Sequence, residues 1–270
     1  MRIGFVQFEP IFGEKERNIR RSIELMEGLE ADLWVLPELC NTGYLFRSKE
    51  EVENLAEEIP DGPSVQAWRT AARERNVHIV AGMAERVDGK VFNVAVLVRP
   101  SGEVSVYRKT HLFDEEKRWF EPGDTGFEVI DIGPARIGMM VCFDWIFPEV
   151  ARILALKGAD LICHPANLVL PYCPDAMVTR CVENRVFAVT CNRIGTERRG
   201  GNTLRFIGSS QIVDPKGNVL VRSERDEESV QVVEIDLTLA RDKQITERND
   251  LFEDRRVALY GALIERLLND

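Results

Sequence analysis

The sequence predicts an α/β fold in one domain: a mixed sheet, or two sheets, with helices on the outer faces. Short apolar runs alternate with segments whose apolar residues recur at helical spacing. Two Pro/Gly turns, each between apolar runs, mark hairpins embedded among the βα units. The 270 residues contain no linker, repeat or low-complexity stretch, and that length can bury a large single core.

The elements follow in order. Residues 3–8 read as a strand, and 16–30 as a helix with Ile19, Ile23, Met26 and Leu29 on one face. Residues 32–37 form the next strand, and Asp61-Gly62-Pro63-Ser64 then starts a helix over 63–76 that leads into strand 77–84. Strands 91–99 and 104–108 flank the turn Pro100-Ser101-Gly102-Glu103. The second half supplies strands 127–131, 135–142, 159–164 and 186–192, with helices 147–157 and 174–184 between them. Strands 207–213 and 219–223 enclose Asp214-Pro215-Lys216-Gly217-Asn218; strand 230–236 and a helix near 254–268 complete the chain.

Hydrophobic residues make up 44% of the chain, an ordinary globular share. A net charge of -10, with basic residues interspersed among acids, argues against a nucleic-acid partner. The 30% of charged residues would suit a heat-tolerant protein with surface ion pairs. The opening Met1-Arg2-Ile3-Gly4-Phe5-Val6-Gln7-Phe8 reads as a strand rather than a secretory signal, and no run reaches the roughly 18 apolar residues of a membrane span. A soluble cytoplasmic protein with no membrane partner is therefore expected. The cysteines at 40, 142, 163, 173, 181 and 191 form no CxxC pair and show no metal-ligand spacing, so free thiols and no metal are expected.

Cys142 ends the apolar run Ile137-Gly138-Met139-Met140-Val141 and precedes Phe143-Asp144-Trp145-Ile146-Phe147-Pro148-Glu149. This reads as a strand delivering a thiol to a sharp turn at a helix start, where nearby N–H groups would favour the thiolate. A free thiol, of pKa about 8.5, needs a base to act as a nucleophile near neutral pH. Of the three histidines, His78 sits inside an apolar strand pattern, His164 ends a strand beside Pro165, and neither they nor His111 show an acid partner in a Cys-His spacing. Two other groups close apolar runs: Glu38 after Trp34-Val35-Leu36-Pro37, and Lys109 after Val106-Tyr107-Arg108. Singly these read as a cap, a surface cation and a buried thiol. Together, at the ends of three strands where α/β active sites gather, they make a catalytic constellation.

Those segments carry a family resemblance. Leu36-Pro37-Glu38, Tyr107-Arg108-Lys109-Thr110-His111-Leu112 and Val141-Cys142-Phe143-Asp144-Trp145-Ile146-Phe147-Pro148-Glu149 resemble the three signature segments of the nitrilase superfamily of carbon–nitrogen hydrolases. The resemblance continues through His164-Pro165-Ala166-Asn167, Arg180-Cys181-Val182-Glu183-Asn184-Arg185 and Asn192-Arg193-Ile194-Gly195 to Gly208-Ser209-Ser210, covering most of the chain in order. It implies an α-β-β-α sandwich, a homodimer and no metal or organic cofactor. It also implies Glu38 as general base, Cys142 as the nucleophile that forms a thioester, and Lys109 with the Phe143 N–H as stabilisers of the oxyanion. A further glutamate after the lysine is usual; Glu115 and Glu116 are adjacent choices, with Glu116 favoured before Glu121-Pro122-Gly123.

Within the family, Cys-Phe-Asp after the strand resembles the amidase and carbamoylase branches, whereas nitrilases commonly carry Cys-Trp-Glu. Members acting on carboxylate-bearing substrates often place an arginine four residues past the cysteine, where this chain has Ile146. The expected substrate is a small amide with a neutral apolar acyl group, packed against Trp145, Tyr44 and Asn167-Leu168-Val169. Arg180 or Arg205 is the alternative carboxylate anchor. Nitrile or N-carbamoyl amine hydrolysis by the same triad is the nearest alternative; an acyltransferase or a non-catalytic binder of the same fold lies outside hydrolysis. The segment Asn249-Asp250-Leu251-Phe252 and the terminal helix are the expected dimer contacts.

Overall fold

The computed structural model describes residues 1–265. Its elements are β1 (Arg2–Gln7), α1 (Lys15–Leu25), β2 (Leu33–Val35), α2 (Lys49–Leu55), α3 (Pro63–Arg75), β3 (His78–Val87), β4 (Lys90–Val98) and β5 (Val104–Arg108). There follow α4 (Glu116–Trp119), β6 (Val129–Asp131), β7 (Arg136–Met139), α5 (Pro148–Leu156), β8 (Leu161–Ala166), α6 (Cys173–Asn184) and β9 (Phe187–Asn192). The remainder is β10 (Thr196–Arg199), β11 (Asn202–Arg205), β12 (Gln211–Val213), β13 (Val219–Arg222), β14 (Ser229–Glu234), α7 (Thr238–Arg241), β15 (Gln244–Thr246) and β16 (Asn249–Asp250).

Two six-stranded mixed sheets result, in the orders β14-β1-β2-β3-β4-β5 and β13-β12-β9-β8-β7-β6. Each has a parallel centre, β1-β2-β3 or β7-β8-β9, bordered by antiparallel strands. Strand alternation assigns the faces. Ile3, Phe5, Leu33 and Val35 point toward the second sheet and join Ile137, Leu161 and Val189 in one core. Val6 and Trp34 point the other way, and Trp34 packs with Met26, Val65 and Trp68 beneath α1 and α3. Helices α5 and α6 cover the far side of the second sheet through Leu154, Val150, Met177 and Cys181. The layers run helix, sheet, sheet, helix, as an α-β-β-α sandwich should.

Several predicted boundaries shift for local reasons. The first helix stops at Leu25 rather than residue 30, because Gly28 turns the chain with φ 86° and Leu29 faces solvent. Strand 207–213 shortens to β12, since Gly208 and Ser209 both lie in the left-handed region, with φ 54° and 57°. The strand expected to reach Cys142 ends at Met139, and residues Cys142–Ile146 form a 3-10 turn before α5. The terminal helix near 254–268 is not formed over 254–265, where two short 3-10 turns stand instead; residues 266–268 lie outside the described residues. Val257, Leu259 and Ile264 are exposed there, and a helix gains most of its stability from a packed apolar face. Phe252, half-buried, packs against this chain's own core. Helix α2, capped by the Ser48 hydroxyl accepting from Glu51 N at 3.1 Å, and the hairpin β10–β11 went unpredicted in polar sequence.

Candidate active site

Strand β5 is antiparallel to β4, which is antiparallel to β3, so β2, β3 and β5 all end at the same edge of the first sheet. Glu38 follows β2 and Lys109 follows β5, which brings them to that edge. The turn carrying Glu38 is laced to β3: Leu36 N donates to Val80 O at 2.8 Å, Gly82 N to Pro37 O at 3.1 Å, and Cys40 N to Gly82 O at 3.0 Å. Gly82 permits this approach, because a Cβ there would lie 2.3 Å from Glu38 Cα. Gly123 does the same for Lys109: its N–H donates to Lys109 O at 2.8 Å, and a Cβ would fall 2.0 Å from Arg108 O.

The buried ammonium of Lys109 joins two carboxylates. Its Nζ donates to Glu38 Oε1 at 2.7 Å and to Glu116 Oε1 at 2.8 Å, with all three side chains nearly or fully buried. Asn93 Nδ2 also donates to Glu38 Oε1 at 2.7 Å, while Glu38 Oε2 has no partner among the described residues. Tyr44 OH donates to Glu116 Oε1 at 2.7 Å, and Phe113 N to Glu116 Oε2 at 3.1 Å. Glu116 is thus the glutamate at the lysine; Glu115 is exposed and pairs with Arg118 at 2.7 Å.

Burial would lower the Lys109 pKa, but Glu116, Glu38 and Cys142 outweigh it and hold the ammonium firmly charged. Burial raises Glu116 to about 6, despite the opposing pull of Lys109. Burial likewise pushes the Cys142 thiol well up, and the Glu38 carboxylate adds to this more than Lys109 relieves it. The expectation that local N–H groups make Cys142 a ready thiolate is therefore corrected. Desolvation dominates, and it favours the neutral thiol.

Cys142 stands at the corner between β7 and the 3-10 turn with φ 42°, a strained value for a residue with a side chain. Asp144 ties this corner to the lysine strand. Its Oδ2 accepts from Val141 N at 2.9 Å and Tyr107 OH at 2.8 Å, while Oδ1 accepts from His111 N at 3.2 Å and faces His111 Nδ1 at 2.8 Å. His111 therefore has the acid partner that no sequence spacing revealed.

Beside Cys142 lies a cavity of about 150 Å³ bounded by Phe113, Phe143, Trp145, Ile146, Leu168, Val169, Leu170 and Tyr172, and by Asn167. The Asn167 side chain is buried, and both its amide atoms lack partners among the described residues. Tyr44 lines a neighbouring cavity of about 330 Å³ that shares Phe113 and Val169 with the first. Of the expected residues, Cys142, Phe143, Trp145 and Asn167 thus meet at one cavity, and Tyr44 reaches the site through Glu116. Arg180 instead donates to Trp145 O at 3.2 Å and Glu183 at 2.9 Å, and Arg205 is exposed on Asp226. Neither bounds the cavity. Sequence reasoning also missed Glu197, which pairs with the buried Arg193 and accepts from Tyr44 N at 3.1 Å and Leu45 N at 2.6 Å, fixing the Tyr44 loop. No motif marks Glu197, which lies far in sequence from the loop it holds.

The family model described as carbon–nitrogen hydrolase matches residues 2–244. The chain belongs to the carbon–nitrogen hydrolase family. This hydrolase is 48% identical over 263 residues to a nitrilase of Pyrococcus abyssi, covering 96% of this chain and 99% of that one. It is 36% identical over 270 residues to an (R)-stereoselective amidase of a Pseudomonas species, covering 98% and 95%. A carbon-nitrogen hydrolase crystal structure from Helicobacter pylori superposes with a TM-score of 0.90 at 28% identity, covering 99% of both chains. The sandwich and the order of the hydrolase's segments are those of the nitrilase superfamily, and hydrolysis of carbon–nitrogen bonds is its activity class.

Proposed function

We propose that this carbon–nitrogen hydrolase cleaves small amides with a neutral, apolar acyl group, through a thioester on Cys142. The observation that carries the chemistry is the buried Glu38–Lys109–Glu116 cluster, whose three charged groups all act electrostatically on the Cys142 thiol. Glu38 Oε2, the unpartnered carboxylate oxygen, takes the thiol proton as Sγ attacks the amide carbon. The carbonyl oxygen becomes an oxyanion held by Lys109 Nζ and the Phe143 N–H. When the tetrahedral species collapses, the C–N bond breaks and Glu38 returns its proton to the departing amine, leaving the acyl group on sulfur. Water then attacks the thioester and gives its proton to Glu38; the C–S bond breaks, the acid leaves, and the thiol is restored. Glu116 holds the ammonium from its second side. Asn167, buried with a free donor and acceptor, is the candidate anchor for the substrate's own amide.

Support for the acyl preference comes from the cavity, whose walls near Cys142 are apolar and which no arginine among the described residues bounds. Hexanamide should therefore be turned over with a higher kcat/KM than glutaramate, whose free carboxylate would enter that cavity without a charge partner. The comparison is read by ammonia release at equal substrate concentration. A clear preference for glutaramate sinks the apolar-pocket reading. Nitrile hydrolysis is the second reading, favoured by the Pyrococcus abyssi relative named a nitrilase; hexanenitrile in the same assay decides between them.

A further inference from the structure

We infer that His164 is a positioning residue: by holding the Cys142 carbonyl from behind, it aims the Phe143 N–H at the substrate oxygen. The inference rests on the thioester reading above, in which that N–H stabilises the oxyanion. His164 is the fourth residue of β8 and is fully buried. Its Nε2 lies 2.9 Å from Cys142 O, and a carbonyl oxygen can only accept, so Nε2 carries the hydrogen. Its Nδ1 lies 3.1 Å from Oγ1 of Thr190, its register partner on β9, whose hydroxyl can donate to the bare nitrogen. One neutral tautomer satisfies both bonds. Burial lowers the ring's pKa to about 4, which keeps it uncharged and leaves Lys109 as the cation of the site.

The geometry connects this bond to catalysis. In a planar trans peptide the carbonyl of one residue and the N–H of the next point in opposite directions, so fixing the Cys142 oxygen fixes the Phe143 N–H. That N–H has no acceptor among the described residues. Cys142 itself is held at φ 42°, a conformation that persists only where its surroundings enforce it. A hydrogen bond to the peptide oxygen also polarises the peptide and strengthens its N–H as a donor. The ring thus both restrains the strained corner and sharpens the donor on its far side.

Two reactions of the same thiol separate this role from general support of the corner. Acylation by hexanamide needs an oxyanion stabilised; formation of a mixed disulfide with methyl methanethiosulfonate, which expels methanesulfinate, does not. In His164→Leu, single-turnover acylation should slow about a hundredfold, the order found when one oxyanion donor is lost. KM should stay put, and disulfide formation at Cys142, read by peptide mass, should run close to the wild-type rate. His164→Gln, whose amide N–H can replace Nε2, should recover most of the loss. Thr190→Val, which removes the partner of Nδ1, gives a milder slowing of acylation alone and serves if His164→Leu does not fold. Unchanged acylation in the His164→Leu or Thr190→Val protein overturns the inference, as does an equal loss of both reactions. Wild-type protein that takes up the disulfide but never an acyl group instead overturns the thioester reading on which the inference depends.

Discussion

Replacing Cys142 with alanine should leave a folded protein that has lost hydrolysis by about 10⁶-fold in kcat, the order seen when an activated nucleophile is removed from a hydrolase. The buried cluster would survive, since Lys109 keeps both carboxylates and the Asp144 ties to Val141, Tyr107 and His111 do not involve sulfur. Removing one buried sulfur atom should cost about 1 kcal/mol or less. Substrate binding should persist, and isothermal titration with hexanamide would read it directly. Steady-state ammonia release within tenfold of wild type would remove the thiol from the mechanism.

Lys109→Met should have the largest combined effect on activity and stability. The ammonium lies between Glu38 Oε1 and Glu116 Oε1 in a fully buried site, so its loss leaves two carboxylates facing each other without a cation. Breaking a buried ion pair from one side typically costs about 3–5 kcal/mol. The sign of the pH dependence follows from linkage. Without the cation, Glu116 in the folded variant binds its proton more tightly still, because Lys109 is the group that opposes its burial. Its folded pKa then lies further above the unfolded one, so stability present at low pH is lost as pH rises through the folded value. The deficit against wild type should therefore shrink at pH 5 and be full at pH 7.5, as read by urea denaturation. Activity should fall about 10³-fold or more, because an oxyanion donor and the placement of Glu38 go together. A deficit equal at both pH values would contradict the buried-pair account.

The sandwich and the ends of its strands were legible because two periodicities, alternation and helical spacing, are local signals. Glu38 and Lys109 each close an apolar run, and parallel packing brings such ends together, so their 2.7 Å contact was implicit in position. Glu116 was legible only by resemblance, since its acidic loop reads as solvated surface until Lys109, Tyr44 and Phe113 are seen to converge on it. Asp144 bridging the cysteine corner to His111, and Glu197 holding the Tyr44 loop, join residues distant in sequence and carry no spacing signal. The thiol's electrostatics were misread for the same reason. The turn's own N–H groups are local, whereas desolvation and the Glu38 carboxylate belong to the assembled site. The terminal helix failed because helical spacing shows that a face exists and not that anything covers it.

Mass spectrometry of the intact protein, quenched in acid during turnover of a slowly hydrolysed amide and followed by peptide mapping, reads the thioester on the protein itself. A transient mass increase equal to the acyl group is expected, located on Cys142 and absent from the Cys142→Ala protein. Turnover with no adduct under conditions where deacylation limits the rate, or an acyl group on any other residue, would contradict the thioester mechanism.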